Sequence, residues 1–118
     1  MNSDQPRVLV VEDDQLTAGA VKMVLEWEGY QVDCAANGKE ALESLRKMEA
    51  KPDVILLDVM MPVLDGLQFR QRQVGDPALK DIPVVVVSAG NDFTLDAADY
   101  VQKPFQPQEL LRAIRGQL

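Results

Sequence analysis

The chain of 118 residues contains no histidine and a single cysteine, Cys34. The lack of histidine excludes imidazole catalysis and most transition-metal sites. A single cysteine excludes an internal disulfide, and the strand-like stretch around Cys34 predicts a small buried thiol. Twelve basic residues against 19 acidic ones give a net charge of −7. Because such a field repels nucleic acid and anionic membranes, we expect neither as a direct partner.

The sequence also lacks the apolar run of about 20 residues that a membrane-spanning helix needs. Its first residues show neither the basic start nor the apolar stretch of a signal peptide. These two features predict a cytoplasmic location. The length suits one domain, and the 47% of apolar residues are enough to build a core. We expect a flexible tail over residues 1–6 and one domain over residues 7–118.

Short apolar segments alternate with helical patterns along the chain. Three continuous valine- and isoleucine-rich runs, at residues 8–11, 54–57 and 83–87, are typical of parallel strands covered on both faces. Residues 31–35 and 100–102 are weaker strand candidates. Repeated strand–helix alternation predicts an α/β protein with a doubly wound parallel sheet.

Four helices are predicted from apolar stripes at helical spacing. The first helix ends at Gly29, a favoured stop, and the last begins at Pro107, a favoured first-turn residue. The third begins near Asp65. In chain order, the stripes are Leu16, Ala20, Met23, Val24 and Trp27; Ala41, Leu42, Leu45 and Met48; Leu67, Phe69 and Val74; and Leu110, Leu111, Ile114 and Leu118.

The interval between the fourth and fifth strand candidates is at the lower limit for an ordinary crossover. A crossover helix with its loops needs roughly a dozen residues, and residues 89–92 already have the composition of a turn. Residues 93–98 then leave room for about one helical turn. We therefore expect the fourth helix of the doubly wound pattern to be truncated or absent.

Polar residues directly follow four of the apolar runs. Glu12, Asp13 and Asp14 follow the first run, and Asp58 follows residues 54–57. Ser88 and Lys103 follow the last two strand candidates. Because the carboxyl ends of parallel strands share one edge of the sheet, where ligands bind, we expect these side chains to lie together.

The chemistry of this set favours a phosphoryl group. Clustered carboxylates repel one another unless a cation joins them, and all-oxygen ligands suit magnesium. Lys103 offers a positive charge and Ser88 a hydroxyl, which together suit phosphoryl oxygens. Asp58 could itself act as a nucleophile at phosphorus. The ordinary alternative is that such residues cap helices or form turns, and we prefer it for Asp14, Asn37 and Asp65.

Four segments resemble the motifs of response-regulator receiver domains, in the order in which that family has them. Residues 8–14 resemble the opening strand and acidic pair, and residues 56–62 with 65–66 resemble the phosphoacceptor segment. Residues 82–89 and 99–105 resemble the remaining two motifs. The resemblance extends from Arg7 to Leu118. It implies a flavodoxin-like three-layer sandwich with five parallel strands in the order 2-1-3-4-5.

The resemblance also implies a role for each site residue. Asp58 is the expected phosphoacceptor. Asp13, Asp58 and the backbone carbonyl of Met60 are the expected ligands of Mg²⁺, with Glu12 acting mainly through water. Ser88 is expected to bind a phosphoryl oxygen and Lys103 to pair with the phosphoryl charge. Tyr100 is the expected switch residue, and the peptide before Pro104 is expected to be cis.

The same resemblance implies a signalling role and partners. The phosphoryl group is expected to come from a sensor histidine kinase or a phosphotransfer protein of a two-component phosphorelay, and its arrival to switch an output domain or partner. We do not expect a turnover enzyme. The interval from Ser88 to Lys103 is shorter than in typical members by roughly 7 residues, about two helical turns. Asp96 also replaces the glycine usual before the switch tyrosine. Dimerisation through the fourth-helix face is therefore doubtful.

Three other functions fit the sequence less well. A phosphohydrolase with an aspartyl nucleophile needs an acid two positions further on, where Met60 cannot transfer a proton. A receiver-like interaction module that is never phosphorylated would have lost acidic residues or the lysine. A flavin-binding module would need a phosphate-binding loop after the first strand, where residues 12–14 repel phosphate.

Overall fold

The computed structural model describes residues 5–59, 66–89 and 97–118. Five strands form one parallel sheet in the order β2-β1-β3-β4-β5. In chain order the strands are β1 (Arg7–Val11), β2 (Gln31–Ala35), β3 (Val54–Asp58), β4 (Val84–Ser88) and β5 (Asp99–Gln102). The helices are α1 (Gln15–Trp27), α2 (Gly38–Lys47), α3 (Gly66–Val74) and α4 (Pro107–Arg115).

The predicted doubly wound sheet and its strand order are confirmed. The expected shortening of a helix between β4 and β5 falls on residues 90–96, which lie outside the described residues, as do residues 1–4 of the expected tail. Within the three described ranges, no helix has both the length and the apolar character needed to cross a bilayer.

Two apolar layers fill the space on either side of the sheet. Alternate residues of one strand point to opposite faces, so Leu9 and Val11 pack with the α2–α3 layer. Val8 and Val10 pack with the α1–α4 layer. Every residue of β3 and β4 is buried because both faces of these central strands are covered. The central strands are therefore held by packing on both faces, and Asp58 is the last residue of one of them.

Capping residues fix where the first two helices begin. Asp14 is the N-cap of α1 and accepts a hydrogen bond from the backbone N–H of Leu16. Asn37 is the N-cap of α2 and accepts one from Glu40. Both predicted capping roles are confirmed, whereas Asp65 lies outside the described residues. At the other end of α1, Gly29 adopts a positive φ of 93°, as its predicted role as a stop requires.

The predicted apolar stripe of α1 is wrong. Its buried residues are Ala18, Val21 and Leu25, whereas Leu16, Met23 and Trp27 are 86%, 70% and 88% exposed. α1 carries apolar residues on two faces, and the face with Ala18, Val21 and Leu25 is the one that packs against the sheet. The other apolar face is therefore left on the surface.

Other predicted core positions are also corrected. Leu67, Val74 and Leu118 are about half exposed. In α3 the buried partner of Phe69 is Gln73, whose amide donates to the carbonyls of Leu79 and Ile82 at 2.9 and 3.0 Å. Those bonds satisfy two backbone carbonyls in the segment that leads into β4, and an apolar side chain has no donor for them.

Cys34 is exposed, so the predicted buried thiol is wrong. β2 lies at the edge of the sheet and pairs only with β1, so its residues are less covered than those of the central strands. Partial burial nevertheless raises the pKa of the Cys34 thiol.

Replacing each of two glycines by alanine should change the free energy of unfolding in opposite directions. Gly19 lies in the exposed middle of α1 with free space around it, so Gly19→Ala should raise the free energy of unfolding by about 0.5–1 kcal/mol. A Cβ at Gly66 would lie 2.8 Å from the backbone of Val59, so Gly66→Ala should lower it by about 1–3 kcal/mol. Urea denaturation of both variants measures these changes. Equal signs would contradict the packing described here.

Candidate functional site

Asp58 lies at the centre of the carboxyl edge of the sheet. It is the last residue of β3, which has β1 on one side and β4 on the other. The chain turns from β1 to β2 in one direction and from β3 to β4 in the other, so the order of strands reverses beside Asp58. Such a switch point leaves a crevice between crossover loops, where ligands of open α/β sheets bind.

Neighbouring strands bring their terminal residues to the same place. Glu12 and Asp13 follow β1, and the Glu12 backbone N–H donates to Ala35 at 3.0 Å. Ser88 ends β4, and its carbonyl accepts the backbone N–H of Lys103 at 2.7 Å. This bond fixes the end of β5 against β4 and directs the lysine across the edge towards β3.

Lys103 joins two carboxylates of this edge. Its ammonium donates to Oε1 of Glu12 at 2.9 Å and to Oδ2 of Asp58 at 3.3 Å. Both acidic side chains are only 7% exposed and that of Lys103 is 25% exposed, so water screens the attraction weakly. Partial burial acts to lower the pKa of Lys103, but the hydrogen bonds and charges of Glu12 and Asp58 outweigh it and raise this pKa.

Three carboxylates converge beside this lysine. One oxygen each of Glu12, Asp13 and Asp58 lies within 4.8 Å of the other two. Magnesium holds oxygens at 2.0–2.1 Å, so two of its ligands lie at most about 4.2 Å apart. Only one pair among three ligands can lie opposite each other, so direct binding by all three would draw the oxygens closer together than this, whereas an oxygen that acts through water can stay further away. Both oxygens of the Glu12 side chain already accept hydrogen bonds, one from Lys103 and the other from the Asp14 backbone, so Glu12 is the one best suited to act through water.

The acidic loop is held by its own hydrogen bonds. The backbone N–H of Asp14 donates to Oε2 of Glu12 at 3.2 Å, and the Thr17 hydroxyl donates to Oδ2 of Asp14 at 2.8 Å. The Thr17 bond, followed by that from Leu16, lowers the pKa of Asp14. Asp14 is thus turned towards α1 and away from the three-carboxylate group.

The structure places the sequence-predicted site residues as follows. It brings together Glu12, Asp13, Asp58 and Lys103, with Ser88 buried at the end of the adjacent strand. Tyr100 is half-buried on β5 and packs against the α2–α3 layer. The Lys103–Pro104 peptide is cis. The carbonyl of Met60 lies outside the described residues.

Thr17 and Phe105 belong to the site and were missed in the sequence. Together with Glu12 and Asp58 they line a cavity about the size of one water molecule. Thr17 could have been found as a hydroxyl three positions after a capping aspartate, a spacing at which side chains meet on a helix. Phe105 carries no comparable signal, because it lies in the loop before α4 and reaches the site only by packing against the α1–α4 layer.

Comparison with known proteins defines the class. The family model for the response regulator receiver domain matches residues 8–115. The chain belongs to this family and is a receiver domain of two-component signalling, the class of domain that accepts a phosphoryl group.

Particular relatives agree with this assignment. The chain is 40% identical over 121 residues to the response regulator MprA of Mycolicibacterium vanbaalenii, covering 95% of the chain and 50% of MprA. It spans about half the length of the curated relatives it matches.

Solved structures agree as well. Chemotaxis response regulator CheY4 of Vibrio cholerae is 30% identical with a TM-score of 0.88, covering 97% of this chain and 99% of that one. The receiver domain of sensor histidine kinase PA1611 from Pseudomonas aeruginosa is 26% identical with a TM-score of 0.88, covering 96% and 97%. That structure has a magnesium ion coordinated in its active-site cleft.

Replacing Lys103 should destabilise the metal-free protein. Lys103→Met leaves Glu12 and Asp58 buried without their cation, which should lower the free energy of unfolding in EDTA by about 2 kcal/mol. The loss is smaller than for a fully buried pair because Lys103 is partly exposed. Urea denaturation at neutral pH measures it, with the surface variant Lys80→Met as the matched control. Equal stability of the two variants would contradict the bridging role of Lys103.

Proposed function

We propose that Asp58 is the phosphoacceptor of this receiver domain. The observation that carries the proposal is the position of its carboxylate, at the centre of the edge and 3.3 Å from the Lys103 ammonium. Glu12 and Asp13 lie beside it. Of the two carboxylates bonded to Lys103, Asp58 ends a strand that is buried along its whole length, whereas Glu12 follows β1 and its second oxygen accepts from the Asp14 backbone.

The proposed reaction moves the phosphoryl group from a phosphohistidine of a kinase or phosphotransfer protein. A carboxylate oxygen of Asp58 attacks phosphorus, forming a P–O bond while the P–N bond breaks. The electron pair of that bond goes to the imidazole nitrogen, which takes up a proton. The product is an acyl phosphate, and positioning and charge neutralisation supply most of the rate.

Two side chains of the edge stabilise the transferring group. Lys103 shifts from the Asp58 carboxylate towards the added phosphoryl oxygens, keeping its positive charge beside the new negative one. Ser88 ends the strand that pairs with β3, and its hydroxyl donates to a phosphoryl oxygen. Hydrogen bonds to ionised acceptors are about twice as strong as neutral ones, so both contacts favour the phosphorylated state.

The acidic group fits a magnesium ion. Asp13 and Asp58 would be direct protein ligands, with the Met60 carbonyl as a third and Glu12 acting through water. When bound, the ion offsets the charge of the phosphoryl oxygens. Oxygen ligands alone, with positions left for water and phosphate, suit Mg²⁺ better than softer metals.

The output of phosphorylation passes through β5. Ser88 pairs with Gln102 across the β4–β5 ladder, two residues from Tyr100. A shift of Ser88 towards the phosphoryl group opens space at the end of β4, and the half-buried Tyr100 turns inward to fill it. The altered β5 surface then changes the affinity for an output domain or partner. The domain assists its own phosphorylation and dephosphorylation in the cytoplasm but does not turn over a separate substrate.

Acetyl phosphate with magnesium should add one phosphoryl group to the protein. Intact-mass spectrometry should detect the adduct on the wild type and on the surface control Asp81→Asn. It should be lost in Asp58→Asn, because the amide is a poor nucleophile. An undiminished adduct on Asp58→Asn would show that another residue is modified. Steady release of phosphate from a simple ester would favour the phosphohydrolase instead.

Magnesium should stabilise the folded state through the acidic group. Binding to the native state alone adds RT ln(1 + [Mg²⁺]/Kd), about 1.4 kcal/mol at ten times the Kd. Thermal unfolding should therefore show a rise in Tm for the wild type and for Asp81→Asn, and almost none for Asp13→Asn. An equal rise in Asp13→Asn would place the ion elsewhere.

A further inference from the structure

Three acidic residues in a row follow β1, and the structure gives each of them a different environment. Glu12 is buried, and both oxygens of its carboxylate accept hydrogen bonds. Asp14 is turned to α1, where both of its oxygens also accept hydrogen bonds. Asp13 lies between them and stays exposed beside Glu12 and Asp58. Nothing within the sequence Glu-Asp-Asp distinguishes Asp13 from Asp14, so residues outside it must do so.

The two bonds to the Asp14 carboxylate come from the first turn of α1. The backbone N–H of Leu16 donates to Oδ1 at 3.2 Å, and the hydroxyl of Thr17 donates to Oδ2 at 2.8 Å. Every residue except proline can supply a backbone N–H, whereas the hydroxyl belongs to the side chain of Thr17. The shorter of the two bonds therefore depends on this threonine.

A continuous chain of hydrogen bonds leads from Thr17 to Asp58. Asp14, which Thr17 holds, donates its backbone N–H to Oε2 of Glu12 at 3.2 Å. The other oxygen of Glu12 accepts from Lys103 at 2.9 Å, and Lys103 also bonds Asp58 at 3.3 Å. Thr17 lies at the outer end of this chain, so a change at its hydroxyl acts first on Asp14 and then on Glu12.

The loop that carries Asp13 is fixed on both sides. Before Asp13, the backbone N–H of Glu12 donates to the carbonyl of Ala35 at 3.0 Å. After it, the carbonyl of Asp14 accepts the N–H of Ala18 at 2.9 Å, in addition to the two bonds of its side chain. A ligand that is already held in place loses less conformational freedom when it binds. The affinity of Asp13 for a cation therefore depends on both anchored neighbours.

We propose that Thr17 is a positioning residue of the magnesium site, whose hydroxyl holds Asp14 on α1 and thereby presents Asp13 to the ion. The inference rests on the proposed magnesium site. Without the hydroxyl, the Asp14 carboxylate keeps only the longer bond to the backbone, and the loop loses part of one anchor. Mg²⁺ then binds more weakly, because the ion itself has to order Asp13.

The alternative is that Thr17 only fills space. Its side chain also lines the small cavity beside Glu12 and Asp58, together with Val21 and Phe105. Two substitutions separate the roles, because Thr17→Val keeps the branched shape without the donor and Thr17→Ser keeps the donor without the methyl group. Neither substitution changes the charge of the protein, so both leave the long-range attraction for Mg²⁺ the same.

Isothermal titration calorimetry with magnesium chloride, at constant ionic strength and on metal-free protein, tests the proposal. Thr17→Val should raise the Kd about three- to tenfold, less than the roughly 10–100-fold typical of groups that contact a metal ligand directly. Thr17→Ser should keep the affinity of the wild type. An unchanged Kd in Thr17→Val would overturn the proposal. A Kd in Thr17→Ser as high as in Thr17→Val would also overturn it, because the hydroxyl would then not be the cause.

A double-mutant cycle tests whether Thr17 acts through Asp14. Asp14→Ser retains a cap for the N–H of Leu16 but removes the second oxygen, to which Thr17 donates. In this background Thr17→Val should change the Kd of Mg²⁺ by less than about twofold, because the interaction it removes is already absent. A change as large as in the wild-type background would contradict the proposed route.

The magnesium dependence of phosphorylation by acetyl phosphate gives a second reading. In Thr17→Val the magnesium concentration for half the maximal rate should rise by the same factor as the Kd. The rate at saturating magnesium should stay close to that of the wild type, because Asp58 and Lys103 are unchanged. A purely structural role would not move the half-saturating concentration. A lower saturating rate with an unchanged half-saturating concentration would contradict the proposal.

Asp13→Asn distinguishes failure of this inference from failure of the magnesium site. We expect Asp13→Asn to lose most of the calorimetric signal and Thr17→Val to weaken binding. If Asp13→Asn binds Mg²⁺ like the wild type, the proposed site is wrong, and the role of Thr17 is wrong with it. If Asp13→Asn loses binding while Thr17→Val binds like the wild type, the site stands and only the role of Thr17 is wrong.

Discussion

Three carboxylates at one edge of a sheet need positive charge, and in this structure Lys103 supplies it. Its ammonium bonds Glu12 and Asp58, both almost completely buried, at 2.9 and 3.3 Å. One lysine offsets only part of the charge of three carboxylates, so the site keeps more negative than positive charge. Such a site can bind a cation, which supplies the missing positive charge. It can also accept a phosphoryl group, whose oxygens pair with the Lys103 ammonium in place of a carboxylate.

The surrounding fold keeps that site in place. β3 and β4 are buried along their whole length, so the packed core holds Asp58 and Ser88, which end these strands, in place. Lys103 follows the less buried β5, and its backbone N–H donates to the Ser88 carbonyl, which holds the end of β5 against β4. The site thus combines Asp58, on a buried central strand, with Lys103, which follows the more exposed edge strand β5. A change at Asp58 is therefore most easily passed to β5.

Most of the sheet and of the acidic site could be predicted from the sequence, because polar residues directly follow apolar runs. β2 agrees with its predicted bounds, and the other strands differ by one residue at one or both ends. The buried face of α1 was not predictable from its stripe, because Leu16, Met23 and Trp27 have the same helical spacing as a core face. Only packing against the sheet selects Ala18, Val21 and Leu25. Cys34 is exposed because β2 lies at the edge of the sheet, and Gln73 is buried because it donates to two backbone carbonyls. No local sequence pattern indicates either of these tertiary features.

The most direct test of the site is to bind beryllofluoride, a non-transferable mimic of the phosphoryl group. With magnesium present, ¹⁹F NMR should show protein-bound fluoride resonances for the wild type. Binding of the mimic should also shift the backbone resonances of Ser88 and Lys103, since both contact it in this account. Asp58→Asn should give none of these signals. Bound fluoride in Asp58→Asn, or none in the wild type, would contradict Asp58 as the acceptor.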